Sequence, residues 1–351
     1  MIDRVSTVPT PPPRAAAAAP TLAQVAEKAG VSLKTASRVI NAEPRVAEDT
    51  RQRVLDAAAQ LGYQPNHAAS QLARGVTSRV VGLITGDLSN PFYSALAKGV
   101  EQELRSRDMQ LTIASSDEES DRERVLVSEF VNRHVTALIL VSTLDEHSTL
   151  AGVQARNVPI VFADRIGIGL DADSVVLDNE GGAHIGTAHL IAHGHWAVGF
   201  IGDLARLETH RERFEGYRRA MVDAELDQWR WVRHGAHDVE SARLAAISLL
   251  QQEEPPTALF TSNNRITIGA LKAIDELGLD TALVGFDDFE LADVSGVSVI
   301  AHDPVEMGAV AARLAIAAAE RTRFGANTVV LPTWLIARGS GERSVPRPRG
   351  R

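Results

Sequence analysis

The sequence predicts an all-α head followed by an α/β body made of two doubly wound lobes, each built on a parallel sheet. Three observations support this fold class. Residues 21–61 contain three short segments in which apolar side chains recur at helical spacing. After Ser78, continuous apolar runs typical of buried parallel strands alternate with helical segments. The alternation restarts near residue 181, which predicts two α/β units in series with a cleft between them.

The head has the spacing of a helix-turn-helix. Its first helix stops at Gly30, and Ser32 is the expected cap of the second. The exposed side of the second helix carries Leu33, Lys34, Ser37 and Arg38. The inward sides carry Val25, Ala26 and Ala29, then Ala36, Val39 and Ile40, and, in a third helix from about Ala47 to Gly62, Val54, Leu55, Ala58 and Leu61. Because this motif lays its second helix in the DNA major groove, it predicts binding to double-stranded DNA.

Composition limits the class of protein. The 351 residues predict two or three domains, and the absence of cysteine excludes disulfides and thiolate chemistry. No run approaches the roughly 20 apolar residues that a membrane helix needs, so no membrane partner is expected. The net charge is −9, but residues 21–75 carry seven Lys/Arg against five Asp/Glu. This small positive excess attracts phosphates weakly, so we expect dimerisation to be needed for useful DNA affinity.

The body is predicted to alternate strands and helices. Expected strands cover residues 80–84, 111–114, 137–141, 159–163, 198–201, 257–261 and 282–286, and expected helices cover 91–107, 121–133, 181–193, 208–223, 238–251 and 263–277. Ligands of such sheets bind beyond the carboxyl ends of the strands. Side chains at those ends, or on the following helix, are Phe92, Tyr93, Asp164, Arg165, Arg211, Asn263 and Asp287. Carboxylates, amides and guanidinium groups between aromatic walls suit a sugar, and the alternative is a structural role for each residue.

Several chemical motifs are absent or incomplete. His193-Gly194-His195 has no cysteine or carboxylate at metal-ligand spacing, which favours a turn and predicts no metal. Gly167-Ile168-Gly169 lacks the third glycine of a dinucleotide fingerprint. Neither G-x-S-x-G nor a Walker motif occurs. We therefore predict no catalytic residue and no cofactor.

Taken together, the head and several short motifs of the body resemble the LacI–GalR family of transcriptional repressors. The resemblance covers roughly residues 21–340. In the head and hinge it rests on residues 21–41, 51–61 and Gly62-Tyr63-Gln64-Pro65-Asn66. In the body it rests on Asn90-Pro91-Phe92-Tyr93, Asp164-Arg165, Asp178-Asn179, Gly194-His195, residues 211–216, Gly285-Phe286-Asp287-Asp288 and Leu331-Pro332-Thr333. It implies two lobes of the periplasmic-binding-protein type.

The resemblance implies roles for residues of the head and hinge. Leu33, Lys34 and Arg38 would read bases. A second set would contact the DNA backbone: Thr21, Ser32, Thr35, Ser37, Asn41, Tyr63 and Asn66. In a hinge helix over residues 66–74, the small Ala69 would let two copies approach each other, and Leu72 would wedge into the minor groove. The alternatives are that Lys34 and Arg38 are solvated charges and that Leu72 packs on the body.

The resemblance also places effector contacts in the cleft, at Asp164, Arg211, Asn263 and Asp287, and around His237. Asp288 is expected to be a turn residue instead. We expect a disordered leader (1–20), a helix-turn-helix domain (21–66), a hinge helix and linker (67–78), an effector-binding and dimerisation domain (79–340) and a disordered tail (341–351). Within the body, the first lobe is expected over residues 79–175 and 303–332, and the second over 176–302 and 333–340.

The resulting hypothesis is a cytoplasmic, homodimeric repressor whose operator affinity is controlled by a small molecule, most simply a sugar. Effector closure of the lobes would change the separation of the two heads, so ligand and DNA affinities would be coupled reciprocally. Two alternatives remain open. An exported sugar-binding receptor of the same two-lobe fold would need a secretion signal and no helix-turn-helix. An α/β enzyme using Asp164 or Asp287 as a base would turn its sugar over.

Overall fold

Three helices pack into the head. The computed structural model describes residues 20–41, 43–44, 46–63, 78–226, 230–322 and 325–345. Within them the head contains α1 (Leu22–Ala29), α2 (Leu33–Ile40) and α3 (Glu48–Leu61). Thr21 caps α1 in a capping box with Gln24, and Gly30 ends it in the left-handed conformation at φ 63°. Ser32 caps α2 by accepting from the backbone N–H of Thr35 at 3.1 Å. The predicted helix, turn and helix are confirmed.

The core of the head differs from the prediction at two positions of α3. Leu55 was expected to face inward but is 44% exposed, because it lies about 100° around α3 from Val54. Ala57 is buried instead, and Leu61 packs against the same cluster. Ala47 precedes α3 without a side-chain cap hydrogen bond, and the acidic Glu48 and Asp49 occupy the first turn. Their charges complement the positive end of the helix dipole where a cap is absent.

The body contains twelve strands and eight helices among the residues that the structure describes. The strands are β1 (Val80–Thr85), β2 (Gln110–Ser115), β3 (Ala137–Leu140), β4 (Ile160–Ala163), β5 (Asp173–Leu177), β6 (Val198–Ile201), β7 (Val232–Arg233), β8 (Ala258–Thr261), β9 (Ala282–Phe286), β10 (Ser298–Ala301), β11 (Thr328–Leu331) and β12 (Trp334–Ile336). The helices are α4 (Pro91–Arg105), α5 (Ser120–Asn132), α6 (Ala151–Gln154, preceded by a 3₁₀ turn Ser148–Leu150), α7 (Asn179–Ala192), α8 (Glu208–Asp223), α9 (Val239–Leu250), α10 (Asn264–Glu276) and α11 (Pro304–Ala319).

Two six-stranded sheets define two lobes. Lobe 1 has the strand order β11-β5-β4-β3-β1-β2 and lobe 2 the order β12-β10-β9-β8-β6-β7. All pairs in lobe 1 are parallel, and in lobe 2 only the edge strand β12 runs antiparallel, against β10. The chain passes between the lobes after β5, after β10 and after β11. The predicted doubly wound α/β body is confirmed. None of the described helices has the length and apolar character needed to cross a membrane.

Two glycines allow α4 and α11 to pack backbone against backbone in lobe 1. A Cβ added at Gly99 would lie 1.9 Å from the carbonyl oxygen of Val305, and one at Gly308 would lie 2.0 Å from that of Leu96. Neither obstacle is the end of a flexible side chain, so the helices would have to move apart. This contact therefore depends on the absence of a side chain at both positions.

We expect Gly99→Ala to lower the free energy of unfolding by about 1–3 kcal/mol, because overpacking a helix contact forces backbone shifts. Gly152→Ala is the matched control, since a Cβ at Gly152 in α6 meets nothing within 4 Å. Alanine there is expected to be neutral or stabilising by up to about 1 kcal/mol. Urea unfolding of both variants measures the difference. Equal stability of the two variants would contradict the close helix contact.

Candidate functional site

The outward side of α2 presents the side chains predicted to read DNA. Leu33 is 54% exposed, and Lys34 next to it is exposed as well. Arg38 lies one turn further along the same helix face, and its Nε donates to Oε2 of Glu43 at 3.3 Å. A protruding apolar side chain beside two cations is a surface suited to base edges and thymine methyl groups.

The residues predicted to contact the DNA backbone surround this helix. Thr21 and Ser32 are the two N-caps, and the hydroxyls of Ser32 and Thr35 lie 2.9 Å apart. Nδ2 of Asn41 donates to the carbonyl oxygen of Ser37 at 2.6 Å, which closes α2. Tyr63 packs against the core of the head at the end of α3. Asn66, Ala69 and Leu72 lie outside the described residues.

The cleft between the lobes gathers seven of the eight predicted effector residues: Phe92, Tyr93, Asp164, Arg165, His237, Asn263 and Asp287. Asp164 and Asp287 directly follow β4 and β9, and both have a left-handed backbone, with φ of 68° and 66°. Aspartate tolerates this conformation better than most residues. The reversal turns each carboxylate back over the carboxyl end of its sheet, where two 5%-exposed acids face one cavity.

Arg211 is not among the residues that line this cavity; it lines a neighbouring one together with Arg165, Ile166 and Glu208. Its side chain is 51% exposed, and the nearest carboxylate, that of Asp145, is 4.0 Å away. The arginine of α8 that lines the cleft is Arg213, whose side chain is 7% exposed. Two residues along a helix amount to about 200° of rotation, so Arg211 and Arg213 lie on opposite sides of α8. The inward spacing of Arg213, Gly216, Tyr217 and Ala220 is the signal that could have identified it.

Arg213 is the centre of a buried network in lobe 2. Its Nε donates to Asn179 Oδ1 at 2.8 Å, and its Nη1 donates to the carbonyl oxygen of Ser262 at 2.6 Å and to Asp287 Oδ2 at 3.3 Å. The guanidinium also lies 3.8 Å from the ring centre of Phe286. Burial alone would raise the pKa of Asp287. The charge of Arg213 and a 2.9 Å hydrogen bond with His302 Nε2 outweigh burial and hold that pKa below its ordinary value.

Arg165 is held in a corresponding network in lobe 1. It donates from both Nη atoms to the carboxylate of Glu118, at 2.7 and 2.8 Å, and from Nη1 to the carbonyl oxygen of Ser142 at 2.8 Å. The hydroxyl of Tyr93 lies 3.5 Å from Nη2. Burial raises the pKa of Tyr93 well above its ordinary value, so this hydroxyl stays protonated and can donate. Glu118, absent from the prediction, thus compensates the charge of Arg165.

A third network joins His237 and Asn263 through Asp203. Oδ1 of Asp203 lies 2.7 Å from His237 Nδ1, and its Oδ2 accepts from Asn263 Nδ2 at 2.9 Å. Asn263 also caps α10 by accepting from the backbone N–H of Ile266. The hydrogen bond to Asp203 raises the pKa of His237, although burial opposes it. The imidazole of His237 and the side-chain amide of Asn263 are therefore held in fixed orientations at the cavity.

Asp164 is the carboxylate in this cleft with the fewest partners. Within the described part of the chain, its one neighbour at ion-pair distance is Arg165 Nε, 3.8 Å from Oδ2, and that Nε makes no hydrogen bond. Burial raises the pKa of Asp164 to about 6, although the charges of Arg165 and Arg213 lower it. A buried carboxylate with few donors is costly, and hydroxyl or N–H groups of a ligand would lower that cost.

Polar contacts bridge the lobes at the mouth of the cleft. Asn264 Nδ2 donates to Asn90 Oδ1 at 3.0 Å, and Arg265 forms an ion pair with Asp87. On the other side, Arg206 donates to the carbonyl oxygen of Glu118 at 2.8 Å, and Glu208 accepts from the backbone N–H of Ile166 at 2.9 Å. Because residues of both lobes form these pairs, opening the cleft would break them. No cluster of three or more metal-ligating side chains occurs among the described residues.

Known proteins share both the head and the body of this chain. The pattern "Bacterial regulatory proteins, lacI family" matches residues 21–66, and "Periplasmic binding proteins and sugar binding domain of LacI family" matches residues 78–305.

Catabolite control protein A of Priestia megaterium is 30% identical over 89% of this chain and 96% of its own length. The regulator GalR of Escherichia coli is 30% identical over 91% of this chain and 95% of its own. The structure of the lac repressor dimer bound to operator and the anti-inducer ONPF matches with a TM-score of 0.79 at 27% identity, over 92% of this chain and 98% of that one. The chain therefore belongs to the LacI family of bacterial transcriptional regulators, which are DNA-binding proteins and not enzymes.

Proposed function

We propose that this regulator is a homodimeric, cytoplasmic repressor whose operator affinity is set by an uncharged, hydroxyl-rich small molecule, most simply a sugar, bound between the lobes. The observation that carries the proposal is the carboxylate of Asp164. It is buried, has few donors and faces a polar cleft in a chain whose head has a helix-turn-helix. The absence of cysteine agrees with a reducing compartment.

The effector contacts in this proposal are Asp164, Asp287, Asn263 and His237, with Arg213 in place of Arg211. Hydroxyl groups of the ligand donate to Asp164, and the ring atoms pack on Phe92 and Tyr93. Arg165 contributes by fixing Asp164 and Tyr93. Five carboxylates line the cleft against three guanidinium groups and one histidine, and each of the four cations already contacts a carboxylate. This balance favours an uncharged ligand over a phosphate ester.

The DNA contacts in this proposal begin with base readout by Leu33, Lys34 and Arg38. Thr21, Ser32, Thr35, Ser37, Asn41, Tyr63 and Asn66 hold the phosphates, and Ala69 and Leu72 form the minor-groove hinge. A dimer would present two copies of α2 to half-sites about one DNA turn apart. The lac repressor relative is described as a dimer on its operator, which supports this arrangement. Making or breaking the bridges at the cleft mouth would couple the ligand to DNA affinity.

The proposal predicts specific DNA binding that a sugar changes. Purified full-length protein is incubated with a library of fragments from the source genome, and retained fragments are sequenced. We expect enrichment of a near-palindromic site, and at least one sugar of a panel should change its affinity tenfold or more. The same sugars are then recovered and examined for products. Enrichment of no site, or of a site whose affinity no metabolite changes, would contradict the proposal, and turnover of a sugar would favour an enzyme.

A further inference from the structure

The turn that follows α2 folds back onto the recognition helix. Asn41 ends the helix, and two residues later the backbone N–H of Glu43 donates to the carbonyl oxygen of Arg38 at 2.9 Å. Nη2 of Arg51, on α3, donates to the carbonyl oxygen of Glu43 at 3.3 Å. The backbone of Glu43 is therefore tied to both neighbouring helices of the head. These two hydrogen bonds fix the position of the Glu43 backbone, and hence the origin of its side chain, close to Arg38.

The contact between the two side chains uses a particular atom of the arginine. Arg38 Nε lies 3.3 Å from Glu43 Oε2, while both side chains are about 40% exposed. An ion pair at this exposure adds little to stability. Its geometry matters more, because a guanidinium reads guanine O6 and N7 with two parallel N–H groups. A carboxylate on Nε leaves both Nη atoms available, and within the described head neither of them has a hydrogen-bond partner.

We propose that Glu43 is a positioning residue that holds the guanidinium of Arg38 for guanine readout and thereby sharpens base specificity. The inference rests on the proposed role of Arg38 as a base reader. An arginine that is already oriented loses less side-chain freedom when it binds its base. A carboxylate beside the duplex also repels phosphates of every sequence. Glu43 therefore costs overall affinity while it increases the preference for one base.

The test compares the base preferences of the full-length protein and its variants on duplexes with randomised half-sites. Wild type is expected to prefer guanine at one position of each half-site, and Arg38→Ala to lose that preference. Glu43→Ala should weaken the preference at this same position about fivefold, because a bidentate arginine–guanine contact is worth roughly fivefold to a hundredfold in discrimination. Binding to other duplexes should stay equal or become stronger.

Two further variants separate positioning from simple charge. Glu43→Gln removes the same charge as Glu43→Ala but keeps an acceptor oxygen at the same reach, so it should retain part of the guanine preference. Glu27→Ala removes one negative charge from an exposed position on α1 and should leave the preference unchanged. Thermal melting of each variant, which should match wild type, checks that the head is folded.

Three results would overturn the inference. The first is an unchanged guanine preference in Glu43→Ala. The second is an equal guanine preference in Glu43→Gln and Glu43→Ala, which would mean that Glu43 acts only through its negative charge. The third is a changed preference at a different base pair, since Glu43 would then itself accept from a cytosine N4 amino group. If Arg38→Ala changes the base preference at no position, the proposed base-reading role of Arg38 fails as well. The Arg38→Ala result thus distinguishes a failure of that role from a failure of the role of Glu43.

Discussion

Replacing Arg213 by methionine is expected to lower the free energy of unfolding of the body by about 3–5 kcal/mol. Methionine can keep the apolar contact with Phe286, but it removes the donor that Asn179, Ser262 and Asp287 share. Removing one partner of a buried ion pair leaves the other charge without compensation, which is why the expected loss is large. The shift in the midpoint of guanidinium unfolding, followed by far-UV circular dichroism, measures it.

Arg211→Met is the matched control, two residues away on the same helix. Its side chain is half exposed and its nearest carboxylate is 4.0 Å distant, so the change should stay within about 0.5 kcal/mol. The two variants have the same charge and composition and differ only in the side of α8 that they alter. Similar losses for both would mean that Arg213 is not the centre of the lobe 2 network.

Periodicity predicted the elements of this chain well where one side of an element faces a core. The predicted strand at 198–201 and helix at 208–223 have the same bounds in the structure. Burial makes the strand a continuous apolar run and gives the helix apolar residues at helical spacing, so both can be recognised in the sequence. Leu55 was misassigned because a single leucine one position off the inward stripe looks apolar in the sequence but lies beyond the buried face. The elements past Phe286, including the alanine-rich α11, were not assigned at all.

The cleft was predicted in part for a different reason. Residues directly after a strand, such as Asp164 and Asp287, can be placed at the sheet edge from the strand alone. Pairings across the fold cannot: Glu118 meets Arg165 from 47 residues away, and Asp203 meets Asn263 from 60. Such partners are brought together by sheet order and lobe contact. The spacing of residues along the sequence predicts neither the sheet order nor the lobe contact.

The two aspartates of the cleft occupy equivalent places but have opposite electrostatic situations. Both follow a central strand, both have positive φ and both are 5% exposed. Asp287 has Arg213 and His302 as partners, and its pKa lies below its ordinary value. Asp164 has few partners, and its pKa of about 6 lies above its ordinary value of 3.8. One carboxylate therefore stabilises the folded body in its charged form, whereas the other destabilises it.

We therefore expect Asp164→Asn to stabilise the ligand-free protein while weakening its effector binding. The folded state binds the proton of Asp164 more tightly than the unfolded chain does. The contribution of this proton to the free energy of unfolding is therefore complete below about pH 4 and is lost as the pH rises to 6. Above pH 6 the charged Asp164 lowers the free energy of unfolding by about 3 kcal/mol. Asparagine also tolerates positive φ, so Asp164→Asn should regain most of this free energy at pH 8 and almost none at pH 4. Unfolding measured at both pH values gives the difference.

The control for this prediction is Asp287→Asn, which makes the same chemical change at the equivalent strand end. It should destabilise the protein at pH 8, because Arg213 then lacks its charged partner. Calorimetric titration with the sugar that changes the DNA affinity should give at least tenfold weaker binding to Asp164→Asn, since the asparagine side chain replaces one acceptor oxygen with an amide donor. A gain in stability together with a loss of affinity is the behaviour of a carboxylate retained for its ligand. A variant that is less stable than wild type at pH 8, or that binds the sugar equally well, would show that Asp164 has a structural role.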